Sequence, residues 1–260
     1  MAIPIITGLM TQPFLSVVIP AYNEARRIKA PLEALRRYAG SKDFSLELII
    51  VDDGSTDSMP ALLEEMRPGW PGLRILRNQP NRGKGYSVRR GFLEAQGVYV
   101  LFTDADFSTP IEEADRLISL LESARADAAI GSRALQRNLI GVRQRWVREF
   151  GGRFFNLLVR LFTGLKIHDT QCGFKLFRRE TTRFAFELQR VDGFGFDPEI
   201  LFLIQRFGGK ILEVPVRWNN DPATKVRFLR DSSRMLLELA VLRWRAFTGK
   251  YDSVRGPKSS

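Results

Sequence analysis

Asp104 and Asp106 stand one residue apart just after the apolar run Val98 to Phe102. Two carboxylates at that spacing can share one hard cation, since Mg²⁺ and Mn²⁺ take oxygen ligands and commonly bridge one or two carboxylates to phosphate oxygens. A cation there would offset the charge on a departing diphosphate. The same residues also suit a helix start, because Ser108-Thr109-Pro110 follows. Four more polar clusters carry chemistry-bearing side chains: Pro20-Ala21-Tyr22-Asn23-Glu24, Asp52-Asp53-Gly54-Ser55, Asn81-Arg82-Gly83-Lys84-Gly85 and Gly131-Ser132-Arg133. The third is no P-loop, because the glycine spacing and the Lys-Ser/Thr pair are missing. Its backbone N–H groups and Lys84 could still meet a diphosphate or a base. Taken singly, each cluster reads equally well as a polar turn.

What sets them apart is the elements that precede them. Phe14 to Ile19, Leu46 to Val51, Leu73 to Leu76, Val98 to Phe102 and Ala128 to Ile130 are short apolar or β-branched runs, as expected of strands covered on both faces. Between them, Glu24 to Tyr38, the stretch to Met66, Lys84 to Ala95 and Pro110 to Ser123 have helical spacing. Strands alternating with helices predict an α/β fold, Rossmann-like, with a mostly parallel sheet flanked by helices. In such sheets ligands bind beyond the carboxyl ends of the strands, where all five clusters fall.

From Val142 to Leu165 the aromatics Trp146, Phe150, Phe154, Phe155 and Phe162 interleave with Arg143, Arg145, Arg148, Arg153 and Arg160. That pattern fits an amphipathic helix lying on a membrane surface, or one covering the sheet. Mixed elements run to Trp218, and Phe228 to Phe247 reads as a second amphipathic helix.

Across 260 residues, 44% hydrophobic and 27% charged is a globular balance, which excludes a mostly disordered chain. A net charge of +11 favours anionic partners. Nucleic acid is not expected, because no nucleic-acid-binding module is recognisable. The single cysteine, Cys172, excludes an internal disulfide and suits a reducing cytoplasm; the single histidine, His168, excludes sites that need several imidazoles. Met1 to Met10 is apolar but too short to span a bilayer and has no basic n-region, so neither a signal peptide nor a transmembrane helix is expected.

Val17-Val18-Ile19-Pro20-Ala21-Tyr22-Asn23-Glu24, Val51-Asp52-Asp53-Gly54-Ser55-Thr56-Asp57, Asn81-x-Gly83-Lys84-Gly85, Asp104-Ala105-Asp106 and Gly131-Ser132-Arg133 together resemble the motif set of family 2 glycosyltransferases with the GT-A fold. Asp169-Thr170-Gln171-Cys172-Gly173-Phe174-Lys175 and Glu213-Val214-Pro215 resemble the polyprenyl-phosphate branch, which holds dolichyl-phosphate mannose and glucose synthases. The resemblance runs from about Phe14 to Lys225. It implies a nucleotide pocket edged by Pro20, Tyr22 and Glu24, with Asp52 hydrogen-bonding the base and Asp53, Gly83, Lys84 and Ala105 beside the nucleotide. It implies that Asp104 and Asp106 hold the donor diphosphate through Mg²⁺ or Mn²⁺. Arg133, Arg145 and Lys225 would meet the acceptor phosphate or close over the phosphates, and Asp169 would act as a base or an orienting group.

Two positions depart from the mannose synthase pattern: Ser108 replaces a Gln ligand, and Asn219 an Arg. The run Asp106-Phe107-Ser108-Thr109-Pro110 is closer to the glucosyltransferases. The resemblance therefore implies an inverting transfer of glucose from UDP-glucose to a polyprenyl or dolichyl phosphate. Mannose from GDP-mannose, or a soluble or glycan acceptor, are the alternatives. The expected partners are the nucleotide sugar, the lipid phosphate and an anionic membrane surface, with the protein bound peripherally to the cytoplasmic face. The expected division is an N-terminal extension over 1–13, a GT-A domain over 14–225, a C-terminal amphipathic helix over 226–250 and a disordered tail over 251–260.

Overall fold

A computed structural model describes residues 12–70, 72–136, 140–142, 146–219 and 228–252. Side chains are described outside 140–151, 153–154 and 228–233. The strands are β1 (Leu15–Ala21), β2 (Leu46–Asp52), β3 (Leu73–Arg77), β4 (Tyr99–Thr103), β5 (Ala128–Ser132), β6 (Ile140–Val142), β7 (Phe174–Arg178), β8 (Ile211–Pro215) and β9 (Trp218–Asn219). The helices are α1 (Lys29–Gly40), α2 (Met59–Met66), α3 (Lys84–Glu94), α4 (Glu113–Ser123), α5 (Trp146–Thr163), α6 (Arg179–Leu188), α7 (Phe196–Arg206) and α8 (Phe228–Phe247).

Seven strands form one sheet in the order β3-β2-β1-β4-β7-β5-β8, and β6 pairs with β9 in a separate ribbon. Successive strand side chains point to opposite faces. Val17, Ile19, Leu48, Ile50 and Leu101 therefore pack under α1, α2 and α4. Their neighbours Val18, Ile49, Val51, Val100 and Phe102 pack under α3, α6 and α7. A third cluster joins Phe155 and Val159 of α5 to Leu201 of α7 and Leu239 of α8.

The first five expected strands and the terminal helix are found where the sequence places them. The helix expected from Glu24 begins only at Lys29. Pro31 sits in its first turn, where a missing N–H costs nothing, and Glu24 to Arg27 form a separate turn closed by Arg27 N–H to the Glu24 carbonyl at 3.0 Å. Tyr251, assigned by sequence to the tail, is fully buried, and its hydroxyl donates to the Glu199 carboxylate. Residues 1–11 and 253–260 lie outside the described residues.

β7 is the strand that the sequence pattern leaves unassigned. It runs antiparallel between β4 and β5, with Thr103 opposite Phe174. Because its direction is reversed, its start lies at the edge where β4 ends. The loop carrying Asp169 to Gly173 is thus delivered to the carboxyl ends of the parallel strands.

Candidate active site

At the end of β2, Asp52 and Asp53 are both buried but differ in use. Both Asp53 oxygens are consumed within the protein: they accept the backbone N–H groups of Arg82 at 2.9 Å and Gly83 at 2.8 Å and the Asn78 amide at 2.8 Å. Asp53 thereby sets the loop before α3. Gly83 in that loop has φ 103°, and a β-carbon on it would lie 2.4 Å from the Asp192 carbonyl oxygen, so glycine is required twice over. Asp52 Oδ1 accepts the Ser55 N–H at 2.9 Å. Its Oδ2 is buried without a hydrogen bond, although Arg77 Nε is 3.3 Å away in an ion pair. A buried acceptor left in that state is costly, and a donor N–H from a ligand base would satisfy it.

The β1 loop is tied to this edge. Asn23, at φ 55°, accepts the Thr56 N–H at 2.8 Å and the Asp57 N–H at 3.2 Å through its side-chain oxygen. Pro20 is half-buried, Tyr22 is exposed at the edge, and Glu24 is buried against the Arg27 guanidinium. Arg27 Nη1 in turn lies 4.0 Å from Asp106 Oδ2.

Beyond β4, Asp104 is gripped from two directions. Lys84 Nζ is 2.7 Å from Oδ1. On the other side, the Asp104 N–H donates to the Gly173 carbonyl at 3.1 Å, and a β-carbon on Gly173 would lie 1.9 Å from Asp104 Oδ2. Asp106 Oδ1 accepts the Ser108 N–H at 3.0 Å. Burial, and then the neighbouring Asp104 charge, raise the Asp106 carboxyl above its usual pKa. Two carboxylates repelling each other this way favour a cation between them. Ala105, between the two, turns into the apolar core. Among the described residues no group of three or more His, Cys, Asp or Glu gathers around a metal position. A pair of carboxylates is nonetheless the donor set of a magnesium or manganese site that takes its other ligands from phosphate and water, so these residues fit such an ion. A Gly173→Ala variant should keep its fold but lose about 100-fold in kcat, because a 1 Å misplacement of a reacting group costs that order; unchanged kcat with unchanged melting would refute the packing argument.

At the end of β5, Arg133 is held by Asp169. Its Nε and Nη2 donate to the carboxylate at 2.7 and 2.8 Å, and its backbone N–H at 3.0 Å. Burial alone would favour neutral Asp169, but the Arg133 guanidinium outweighs it and holds the carboxyl below its usual pKa. A carboxylate so engaged is a poor base, and its geometry is that of an orienting group. The Glu213 carboxylate braces the same loop, accepting the N–H groups of His168 and Asp169 at 2.9 Å each and facing His168 Nδ1 at 3.0 Å. Burial, then Asp169, push the Cys172 thiol up to about 12, so it stays neutral and unreactive. Arg145 and Lys225 lie outside the described residues.

Four contributors have no site role in the sequence reading: Arg27 and Asp197, which are absent from it, and Gly173 and Lys175, which are named only within a motif. Lys175 is fully buried on β7, and its ammonium lies 2.6 Å from Asp197 Oδ1 while also donating to the Cys172 carbonyl. A lysine set between Phe174 and the Leu176-Phe177 pair was the available signal, since an unpaired charge is not buried among such residues.

Residues 16–184 match the sequence model of glycosyl transferase family 2. The chain belongs to that family. Dolichyl-phosphate beta-glucosyltransferase of Saccharomyces cerevisiae is 37% identical over 255 residues, covering 92% of this chain and 76% of that protein. The Drosophila melanogaster protein of that name is 40% identical over 225 residues, 82% of this chain and 69% of its own. Among solved structures, glucosyl-3-phosphoglycerate synthase from Mycobacterium tuberculosis with uridine diphosphate aligns with a TM-score of 0.62 at 21% identity, covering 92% of this chain and 80% of that one. Its complex with Mn²⁺, uridine diphosphate and glucosyl-3-phosphoglycerate aligns with the same score, covering 89% and 80%. The sheet topology and these neighbours identify the fold of this glycosyltransferase as GT-A.

Proposed function

We propose that the enzyme transfers glucose from UDP-glucose to a dolichyl or polyprenyl phosphate, with inversion at the anomeric carbon, at a membrane surface. One observation carries the reading: the Asp104 carboxylate, two residues from Asp106, lies within electrostatic reach of Arg133, which Asp169 clamps by two parallel hydrogen bonds. The carboxylates suit the diphosphate of a donor through a divalent cation. The guanidinium suits an incoming phosphate. The names of the relatives supply glucose and the lipid phosphate, and the binding of uridine diphosphate with Mn²⁺ by the mycobacterial synthase supports the nucleotide.

In this mechanism Asp52 receives a base N–H, Pro20, Tyr22 and Glu24 edge the pocket, and the Gly83 and Lys84 loop lies along the diphosphate. Arg133 orients the acceptor, with Arg145 and Lys225 assigned to the same phosphates. A bound divalent cation would offset the charge that builds on the leaving diphosphate. A phosphate monoester has its second pKa near 6 and is mostly dianionic at neutral pH. It needs no strong base, which accords with the engaged state of Asp169. Positioning and electrostatics then supply the rate. With lipid phosphate as acceptor, metal-dependent label should pass to lipid from UDP-glucose and not from GDP-mannose; the reverse donor choice would overturn the sugar assignment.

The membrane part rests on α5 and α8. Among the described residues no helix is long and apolar enough to cross a bilayer. Yet Leu157, Leu161 and Phe162 on α5, and Leu237, Val241, Trp244 and Phe247 on α8, are exposed, the last at 90%. Arg160, Arg234 and Arg243 are exposed on the same two helices. Apolar side chains among arginines are what an anionic interface accepts. A Leu237→Glu, Trp244→Glu double variant should no longer sediment with phosphatidylglycerol vesicles but keep its activity on a short, water-soluble acceptor. Undiminished sedimentation would remove α8 from the membrane contact.

A further inference from the structure

Two lysine ammoniums lie against the ring of Phe102 in β4, Lys84 at 5.3 Å and Lys175 at 5.6 Å from its centroid. Each is matched by a carboxylate, Lys84 by Asp104 at 2.7 Å and Lys175 by Asp197 at 2.6 Å. The two pairs differ in access. Lys175 and Asp197 are sealed, with side chains 2% and 5% exposed, whereas Lys84 and Asp104 are 24% and 36% exposed and open onto the strand-end crevice. Charges therefore alternate from the crevice inwards: Asp104, Lys84, Asp197, Lys175. Burial opposes the Lys84 charge, and Asp104 and then Asp197 outweigh it, so the ammonium is under the pull of both carboxylates.

The geometry creates a conflict. Asp104 would help hold the cation, and an ammonium is already on its Oδ1. Oδ2 faces the Gly173 backbone with no room to spare. Lys84 must leave Asp104 for a divalent ion to bind, and a half-buried ammonium cannot leave into nothing. Asp197 supplies the negative potential that can hold the ammonium once it has left Asp104, and an incoming diphosphate supplies new anionic oxygens. Lys175, by pairing with Asp197 and with the Cys172 carbonyl, fixes that carboxylate and the peptide before Gly173 together.

We propose that Lys84 is the resident counter-ion of Asp104, and that Asp197 is a positioning residue that lets Lys84 yield Asp104 to a divalent cation and turn to the donor diphosphate. The inference rests on the donor reading above, and its test separates the two.

The test is equilibrium binding of Mn²⁺, followed by its paramagnetic resonance signal, to the full chain with and without UDP. Lys84→Met should bind Mn²⁺ alone about three- to fivefold more tightly, the scale of a partly exposed ion pair. In the presence of Mn²⁺ the same variant should bind UDP about tenfold more weakly, for want of a charge-assisted contact. Opposite signs on two ligands are not what a disturbed fold produces. Asp197→Asn should weaken binding of Mn²⁺ alone, and should have no such effect in the Lys84→Met background, because Asp197 acts through Lys84. The Lys175→Met, Asp197→Leu double variant removes the buried pair while keeping its volume, a change proteins commonly tolerate. It should weaken Mn²⁺ binding as Asp197→Asn does, and it serves if that variant does not fold. Wild-type protein that binds neither Mn²⁺ nor UDP would sink the donor reading and this inference with it. Wild-type protein that binds both, with Lys84→Met shifting the two in the same direction or not at all, would sink this inference alone. Mn²⁺ binding unchanged in the Lys175→Met, Asp197→Leu variant would remove Asp197 from it.

Discussion

Asp104→Ala is expected to lower kcat/KM for transfer by about 10³-fold or more, since a cation clamp on a leaving diphosphate contributes several kcal/mol to the transition state. Melting should fall modestly. The backbone bond to the Gly173 carbonyl does not involve the side chain, but the Lys84 ammonium loses its partner carboxylate, and a partly exposed pair of this kind is worth about 1 kcal/mol. The loss should fall on the chemical step and on metal-dependent UDP binding. The contact proposed between the nucleoside end and Asp52 belongs to a different strand end, where Asp52 closes β2, and should persist. Steady-state kinetics alongside UDP and uridine titrations would measure this. Full activity in Asp104→Ala would place the diphosphate elsewhere.

Arg133→Ala should be the most damaging change to the fold within the site. It leaves Asp169, buried and ionised, with no guanidinium, and breaking a buried pair from one side costs about 3–5 kcal/mol. Arg133→Lys should restore little, because an ammonium cannot make two parallel bonds to one carboxylate. Asp169→Asn keeps the shape and separates stability from function: kcat for a phosphate acceptor should fall and its KM rise, while UDP binding holds. The pH dependence has a definite sign. Asp169 has its folded pKa below its unfolded one. Its contribution is present above the ordinary aspartate value of about 3.9 and is lost as pH falls through the folded value. Thermal melting of Asp169→Asn should therefore fall less steeply on acidification than that of the wild type. Parallel curves would show that the pair contributes no stability of its own.

The parallel strands were legible because β2 and β4 are near-continuous apolar runs, broken in β2 only by Glu47, and acidic residues close or follow each. The acidic and basic clusters were legible for the same reason: they follow strands, and a parallel sheet gathers strand ends on one edge. β7 was not legible. Phe-Lys-Leu-Phe-Arg follows a loop rather than a helix, and nothing local reveals that it inserts between β4 and β5. The partners it brings are long-range for that reason. Gly173 touches Asp104 across the sheet, and Lys175 meets Asp197 from the first turn of α7. Glu213 was noticed only as part of a motif, while its work in bracing the His168 and Asp169 backbone depends on β8 lying beside β5. Helix starts slipped where a proline fits the first turn, as at Pro31. The face that α8 leaves uncovered was visible in its spacing, but which apolar residues face outward depends on where α5 and α7 pack.

An enzyme acting as proposed takes a lipid phosphate as its acceptor. The most direct measurement gives the purified enzyme UDP-glucose and a divalent metal, with dolichyl phosphate in detergent and 3-phosphoglycerate competing in one reaction, and reads the label in each product. Glucose is expected on the lipid phosphate, lost with chelator, and none on the phosphoglycerate. Glucose on the soluble phosphate, with the lipid untouched, would contradict it.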